Sequence, residues 1–284
     1  RYWISFLHGA QSMTNVGDSM NKLKHRASMV KIILNMLILQ LLLIACHKQQ
    51  VNLREMSPEE QLEYAMKFFE KKDYQKAKMQ LTIVVLNNPG SGIIEKAQFF
   101  LGESYFNSKE YILAIEEYEK LLRSLPQSPY VDDARFKVGM CYYKLSPGYA
   151  LDQEYTIKAI TQFQYFLEEF SNSDLKPQVE EKLLECRNKL AKKKFKSGEL
   201  YRKMGYYRSA LIPFDGVLSN YTDTDYADDA LYWKGECLRK LGEMEESKKA
   251  FLDLLNNYDK SEFVNRAIEK IQELDKVTAN VPAL

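Results

Sequence analysis

Few residues of this chain have the types and spacing that catalysis needs. His47 is the only histidine after residue 45, so neither a Ser/His/Asp triad nor a histidine-bound metal is available there. Two pairs of adjacent carboxylates, Asp132-Asp133 and Asp228-Asp229, could carry acid–base chemistry, but each follows a turn-like joint. Acidic side chains at such a place are explained by the first turn of a helix. We therefore expect no enzymatic activity, no cofactor and no metal.

A different chemistry, acylation of a thiol, is indicated at Cys46. A basic stretch precedes an uncharged run from Ile32 to Ala45, and that run ends in Leu43-Ile44-Ala45-Cys46. The pattern is typical of a signal peptide, and its end resembles the bacterial lipobox, in which small residues before the cysteine admit the signal peptidase. The run is shorter than the roughly 20 residues that a transmembrane helix needs. We expect a lipid on Cys46, as residue one of the mature protein, rather than a spanning helix or a buried thiol.

We expect the signal peptide to start after residue 19. Residues 1–19 do not fit it, and Met20 or Met29 would be a better start than Arg1, so we expect an upstream translation artefact. After the cysteine, the second mature position is His47 rather than the Asp that favours retention in the inner membrane. The outer membrane is therefore the expected location.

Composition and charge favour a folded, helical protein. Hydrophobic residues make up 45% of the chain, and only 12 Gly and 8 Pro interrupt it. Residues 1–45 hold five of the 40 basic and one of the 39 acidic side chains, which leaves a net charge of about −3 for the rest. The one basic cluster lies among helix formers, so nucleic-acid binding is not expected. It consists of Lys189, Lys192, Lys193, Lys194 and Lys196.

Three further cysteines, Cys141, Cys186 and Cys237, fall in helix-forming stretches. Their odd number argues against a disulfide framework. We expect them to be buried free thiols.

A pattern of about 37 residues recurs five times after residue 58. In four copies a small residue is followed twelve positions later by a second small residue, and a large residue comes four positions after that. This is the tetratricopeptide pattern, a helix–turn–helix in which the two helices touch through the small residues. The first small residue and the large residue of each copy are Ala65 and Leu81, Gly102 and Tyr118, Gly139 and Phe163, Gly198 and Phe214, and Gly235 and Phe251.

The third copy is longer than the others. Its second half arrives eight residues late, around the Pro147-Gly148 turn, and 14 further residues follow Ser173. There Pro177 opens an uninterrupted helical pattern that continues through Tyr201 into the fourth copy. We predict one long helix that joins repeats three and four.

The joints between copies resemble one another. Each ends in a hydroxyl residue, which we expect to cap the next helix. These residues are Ser91, Ser128, Ser173 and Thr224.

The predicted fold is therefore an all-α solenoid of about five tetratricopeptide-type repeats. Its parts are an upstream segment and lipoprotein signal peptide (1–45), a flexible tether (46–57), repeats one to three (58–175), repeats four and five (176–275) and a tail (276–284).

The order of these parts resembles the BamD (ComL) family, lipoproteins of the outer-membrane β-barrel assembly machinery, over about residues 46–275. Residues 151–160 and the motif Tyr201-x5-Tyr207-x2-Ala210 are most similar to Bacteroidota members. The resemblance implies a protein on the periplasmic side of the outer membrane whose carboxy-terminal repeats contact the POTRA domains of the barrel protein BamA. It also implies help in docking unfolded barrel precursors, and it implies no reaction.

A groove along the first helices of repeats one and two is the expected precursor site. Its apolar side chains would suit an extended peptide that ends in aromatic residues, although the same residues could be plain core. The groove residues are Leu62, Met66, Phe69, Phe99, Glu103 and Phe106. The alternative function is that of another envelope scaffold of the Tol-Pal-associated type, which shares the extended joints but normally lacks a lipid anchor.

Overall fold

The computed structural model describes residues 29, 31, 34–36 and 55–279. The chain divides into two compact units, residues 1–55 and residues 56–284. In the first unit, residues 29, 31 and 34–36 are helical. Cys46, Met20 and most of the predicted tail lie outside the described residues. Of the helices that the structure describes, none is both long enough and apolar enough to cross a membrane.

All regular secondary structure in the described part of the second unit is helical. Its eleven helices are α1 (Pro58–Glu70), α2 (Tyr74–Asn87), α3 (Ile94–Asn107), α4 (Tyr111–Ser124), α5 (Val131–Leu145), α6 (Glu154–Glu169), α7 (Lys176–Lys203), α8 (Tyr207–Asn220), α9 (Ala227–Leu241), α10 (Met244–Asn257) and α11 (Val264–Ala279). Consecutive helices pack on one another, so α1 to α10 form the five predicted repeats.

Within a repeat the two helices touch through the predicted small residue. A Cβ atom on Gly102 would lie 2.6 Å from the ring of Tyr118, and one on Gly198 would lie 2.6 Å from the ring of Phe214. Real Cβ atoms do not approach a ring that closely, so only glycine allows this contact. In repeat five the second small residue, Ser247, donates a hydrogen bond of 2.9 Å to the carbonyl oxygen of Gly235.

The insertion in repeat three and the long helix after it are both confirmed. Residues 146–153 separate α5 from α6, and α7 runs for 28 residues with Pro177 in its first turn. The first half of α7 packs Val179 and Cys186 in one core cluster with Phe163 and Phe166 of α6. Its second half packs with α8 in a different cluster, so two repeats share a helix of about 42 Å.

The joints differ from the prediction in one respect. Among the described helices, only α1 has a side-chain cap from a hydroxyl, the capping box of Ser57 and Glu60. At the later joints the helix begins at the third position after the hydroxyl residue, whose carbonyl oxygen accepts the N–H of the first helical residue, as at Ser128 and Val131. The Ser128 hydroxyl accepts instead from the N–H of Tyr130, within the turn. The predicted caps are therefore wrong, because the turn continues past the hydroxyl.

A single helix follows the last repeat. The last helix, α11, extends to Ala279, beyond residue 275, where the sequence placed the end of repeat five. Ala267 and Leu274 of α11 lie in the core of repeat five with Phe251 and Leu254. The helix thus covers the apolar face that the fifth repeat would otherwise expose, as terminal capping elements of solenoids do.

Candidate binding surfaces

The predicted groove residues fall into two groups in the structure. Leu62 and Phe99 are core residues, 7% and 8% exposed, whereas Met66 is half-buried. Phe69 is also half-buried, and its ring meets the edge of the Phe100 ring at 5.0 Å between centroids. Most of the aromatic surface expected in the groove is therefore used in packing one repeat against the next.

Residues of the joints cover the core residues of the first helices. Tyr130, which immediately precedes α5, stacks on Phe99 with 4.8 Å between ring centroids and an interplanar angle of 16°. Phe263, which immediately precedes α11, stacks in the same way on Tyr232 at 4.4 Å. The separation along the chain between the covering ring and its partner is the same in both pairs. The sequence analysis missed these residues, although this fixed separation was visible in the sequence.

Glu103 is also used in contacts within the fold. One of its carboxylate oxygens accepts the Tyr118 hydroxyl at 2.5 Å and pairs with the Lys137 ammonium at 2.7 Å. The same ammonium lies 4.8 Å from the centre of the Phe106 ring. Burial and the neighbouring carboxylate raise the pKa of Tyr118 far above its ordinary value, so the hydroxyl remains a donor. Glu103 and Phe106 thus belong to one cluster that links repeats two and three.

What stays open in repeat one is a small cleft of about 260 Å³. Its apolar residues are Leu62 and Met66 of α1 and Ile93 of the first joint. Charged side chains surround them, so the cleft has an apolar floor and a largely acidic rim. The charged residues are Glu59, Glu63, Glu70 and Lys96.

The lysine cluster of α7 holds the inserted loop of repeat three. The Lys189 ammonium donates to the Ser146 hydroxyl at 2.7 Å, and the Lys193 ammonium donates to the carbonyl oxygen of Leu151 at 2.7 Å. Lys192 lies 4.9 Å from the centre of the Tyr149 ring. These contacts give most of the cluster a role within the fold.

The three cysteines of the repeats are buried and free, as predicted. Burial raises the pKa of Cys141 to about 12 and that of Cys186 and Cys237 to about 11. Thiols of this kind are poor nucleophiles at neutral pH. Across the part of the chain that the structure describes, no group of three His, Cys, Asp or Glu side chains could hold a metal ion.

Comparisons with known proteins agree with this architecture. Residues 54–250 match the model of a family described as "YfiO: Outer membrane lipoprotein". The chain is 24% identical over 163 residues to "Outer membrane protein assembly factor BamD" of Rickettsia prowazekii, covering 57% of this chain and 65% of the relative. It is 26% identical over 205 residues to "Putative outer membrane protein assembly factor BamD" of Aquifex aeolicus, covering 71% of this chain and 67% of the relative. The chain thus spans about two thirds of the length of these relatives.

Among solved structures, the chain is similar to one described as "TPR2AB-domain:pHSP90-complex of yeast Sti1". The sequences are 13% identical, the TM-score is 0.42, and the similarity covers 78% of this chain and 84% of the other.

Proposed function

This chain belongs to the YfiO family of outer membrane lipoproteins, and from that premise we propose that it is an assembly factor for outer-membrane proteins. The observation that carries the proposal is the family match over residues 54–250, because it covers all five repeats except the last turns of α10. The names of the relatives from Rickettsia and Aquifex support the same role. The protein acts by binding other proteins and catalyses no reaction.

The finer proposal divides the solenoid into two binding regions. Repeats one and two bind unfolded barrel precursors, and residues from about 176 onward dock a BamA-like barrel protein through its POTRA domains. The packing of α7 supports this division, since a continuous helix with a separate core on each half keeps two regions at a fixed separation. A lipid on Cys46 would hold the solenoid at the periplasmic face of the outer membrane.

The cleft of repeat one is the part of the predicted groove that can still take a ligand. Met66 is half-buried and lies on its floor with Leu62 and Ile93. An extended peptide can insert alternate apolar side chains into such a floor. Phe99 and Phe106 contribute indirectly, because they fix the position of repeat two against its neighbours.

Site-specific photo-cross-linking in the intact chain tests this division in living cells. A photoreactive residue at Met66 should capture unfolded barrel precursors during their synthesis. One at Ile268 of α11, which is exposed, should capture the barrel protein of the assembly machinery. Met79 of α2, exposed outside the cleft, is the control and should capture neither at a comparable yield.

Two results would contradict the proposal at different levels. If Met66 and Met79 capture precursors equally, the cleft is not the precursor site. If depletion of the whole protein leaves the amounts of outer-membrane barrels unchanged, the assembly role itself fails, and a general envelope scaffold becomes the better description.

A further inference from the structure

An open cleft of about 940 Å³ lies between α6 and α8, with α7 as its floor. We call it the interhelical cleft. Its floor is one face of α7, made by Leu190, Lys193, Lys194, Ser197 and Tyr201. These positions repeat every three or four residues, so they form a stripe about 16 Å long on a single face of the helix.

The walls of the interhelical cleft are apolar and uncovered. Ile157 of α6 is 55% exposed, and Ile212 of α8 is 75% exposed. Pro213 stands beside Ile212 on the same wall. The two isoleucines therefore leave apolar surface on both walls of the cleft that no other described residue covers.

Pro213 interrupts the helical hydrogen bonds along this wall. It lies inside α8, where its ring nitrogen has no hydrogen to donate to the carbonyl oxygen four residues earlier, that of Ser209. Ser209 also lines the cleft. The oxygen therefore lacks its usual helical donor.

The equivalent groove one repeat later lacks these features. It lies between α8 and α10, and the position that corresponds to Ile212 is Lys249. Its lining includes the ion pair of Lys234 and Asp215, with 2.7 Å between nitrogen and oxygen. The apolar walls thus belong to the junction of repeats three and four and are not a general property of the repeat.

The floor carries a positive charge that the described residues do not neutralise. Within residues 55–279 the Lys194 ammonium has no carboxylate within ion-pairing distance. It lies over Gly216 of α8, where a Cβ atom would come within 3.3 Å of the lysine nitrogen. The acidic residues of the cleft are at its α6 end, where Glu154 is paired with Lys158 at 2.6 Å.

We propose that the interhelical cleft binds an amphipathic helix of about three turns from another protein, with an apolar stripe against the walls and a carboxylate at Lys194. Three helices already form the floor and walls, and a fourth would pack its ridges between theirs in the usual way. The apolar walls require an apolar face on the ligand. The Lys194 ammonium favours an acidic residue beside it, because no described carboxylate already pairs with it and opposite charges at that distance attract.

The α7 and α8 residues of the interhelical cleft fall within the region that we propose docks the barrel protein, but the inference does not rest on that docking, because it is argued from the cleft's own side chains. It would hold for an envelope scaffold of any role.

Two designed peptides, each long enough for about three helical turns, test the proposal by fluorescence polarisation with the purified full chain at low salt. Both carry leucines at helical spacing, and they differ only in flanking glutamates or flanking lysines. We expect the glutamate peptide to bind at least tenfold more tightly. Ile212→Glu should weaken this binding at least tenfold, because it replaces an apolar side chain of the wall by a carboxylate that repels the glutamates of the peptide.

Met79→Glu is the matched control. Met79 occupies the position in repeat one that Ile212 occupies in repeat four, and it is also more than half exposed. This variant should bind the glutamate peptide as the natural chain does. Lys194→Glu should abolish or reverse the preference between the two peptides, and circular dichroism should show all three variants equally helical.

Three outcomes would overturn the proposal. The first is equal binding of the two peptides to the natural chain, which would remove the charge argument. The second is an equal loss for Ile212→Glu and Met79→Glu, which would place the binding elsewhere. The third is tighter binding of a proline-interrupted peptide of the same composition, which would make the ligand an extended segment.

Discussion

The ring of Tyr130 lies flat on the ring of Phe99, with 4.8 Å between their centroids, although the two residues belong to different repeats. Tyr130 comes from the joint, which is longer here than in the usual tetratricopeptide repeat. The added residues place an aromatic side chain on the first helix of the preceding repeat. The long joint is therefore a packing element, and it closes part of the surface that shorter repeats leave open to ligands.

This relationship predicts a measurable coupling between the two residues. Tyr130→Ala and Phe99→Ala should each destabilise the chain, and the double variant should lose less than the two losses together. The coupling should be about 0.5–1.5 kcal/mol, as for other aromatic pairs. Urea unfolding of the natural chain, the two single variants and the double variant gives the double-mutant cycle.

The control cycle pairs Phe99→Ala with Tyr149→Ala, whose rings are not in contact, so the two losses in stability should add. An equal coupling energy in both cycles would contradict the stacking of Tyr130 on Phe99.

The close contact between Gly102 and Tyr118 predicts a strong dependence on side-chain size. Gly102→Leu should lower the free energy of unfolding by about 1–3 kcal/mol or more, because the ring must move away. Gly92→Leu is the control, since a Cβ atom there meets nothing within 4 Å and should change stability by roughly 0.5 kcal/mol at most. Thermal unfolding of both variants provides the measurement, and similar midpoints would show that the contact has little energetic importance.

A pH effect is expected at Asp229 in the first turn of α9. Burial, with repulsion from Asp228 and Glu262, raises the pKa of this carboxyl from 3.8 to about 6. The folded chain therefore holds this proton more tightly than the unfolded chain does. The stability that protonation contributes is complete below about pH 4 and is lost as the pH rises through 6.

Asp229→Asn should accordingly raise the melting temperature at pH 8, where the natural residue is a partly buried anion. The gain should shrink as the pH falls from 6 to 4, because the carboxyl then becomes neutral in the folded chain. Melting curves of both proteins between pH 4 and pH 8 test the sign of this difference in melting temperature. A gain that grows toward low pH would show that the carboxylate is stabilising.

The acylation predicted at Cys46 can be examined in the cell envelope. Cys46→Ser should leave the precursor uncleaved and free of lipid, so that the mass of the protein lacks the acyl chains. Each buried CH₂ of a lipid contributes about 0.8 kcal/mol to membrane binding, so the mature lipoprotein should partition with membranes. His47→Ala should still be lipidated. Membrane-bound, cleaved protein carrying Cys46→Ser would contradict the prediction.

The helical repeats were predictable because their contacts are local. The small residue and the ring that it contacts, such as Gly198 and Phe214, are separated by a constant number of positions in every repeat without an insertion. The long helix was predictable for a similar reason, since Pro177 opens it and no glycine or further proline interrupts it before Gly198. A pattern that repeats along the chain is sufficient to fix such contacts.

The binding surfaces were harder to predict because they depend on which faces are covered. Phe99 has the spacing of a groove residue, and only the position of Tyr130 shows that it is core. Pro213 departs from the usual pattern, because proline usually ends a helix, whereas here it lies in the middle of α8. Which apolar residues stay open was a question of tertiary packing, and the interhelical cleft had no signature in the repeat pattern.

The continuity of α7 also makes the two halves of the solenoid sensitive to its length. Each residue of a helix turns the chain by about 100° and advances it by about 1.5 Å. One residue inserted near Asn188 would therefore swing repeats four and five through more than a quarter turn relative to the core cluster on the first half of α7, and it would move Lys189 and Lys193 away from the loop of repeat three. An insertion of about seven residues would complete nearly two full turns and restore the original facing, with a displacement of about 10 Å. The length of the long helix thus sets the angle between the two halves of the solenoid. The loss of function caused by an insertion should therefore vary with the helical period and not simply increase with the number of inserted residues.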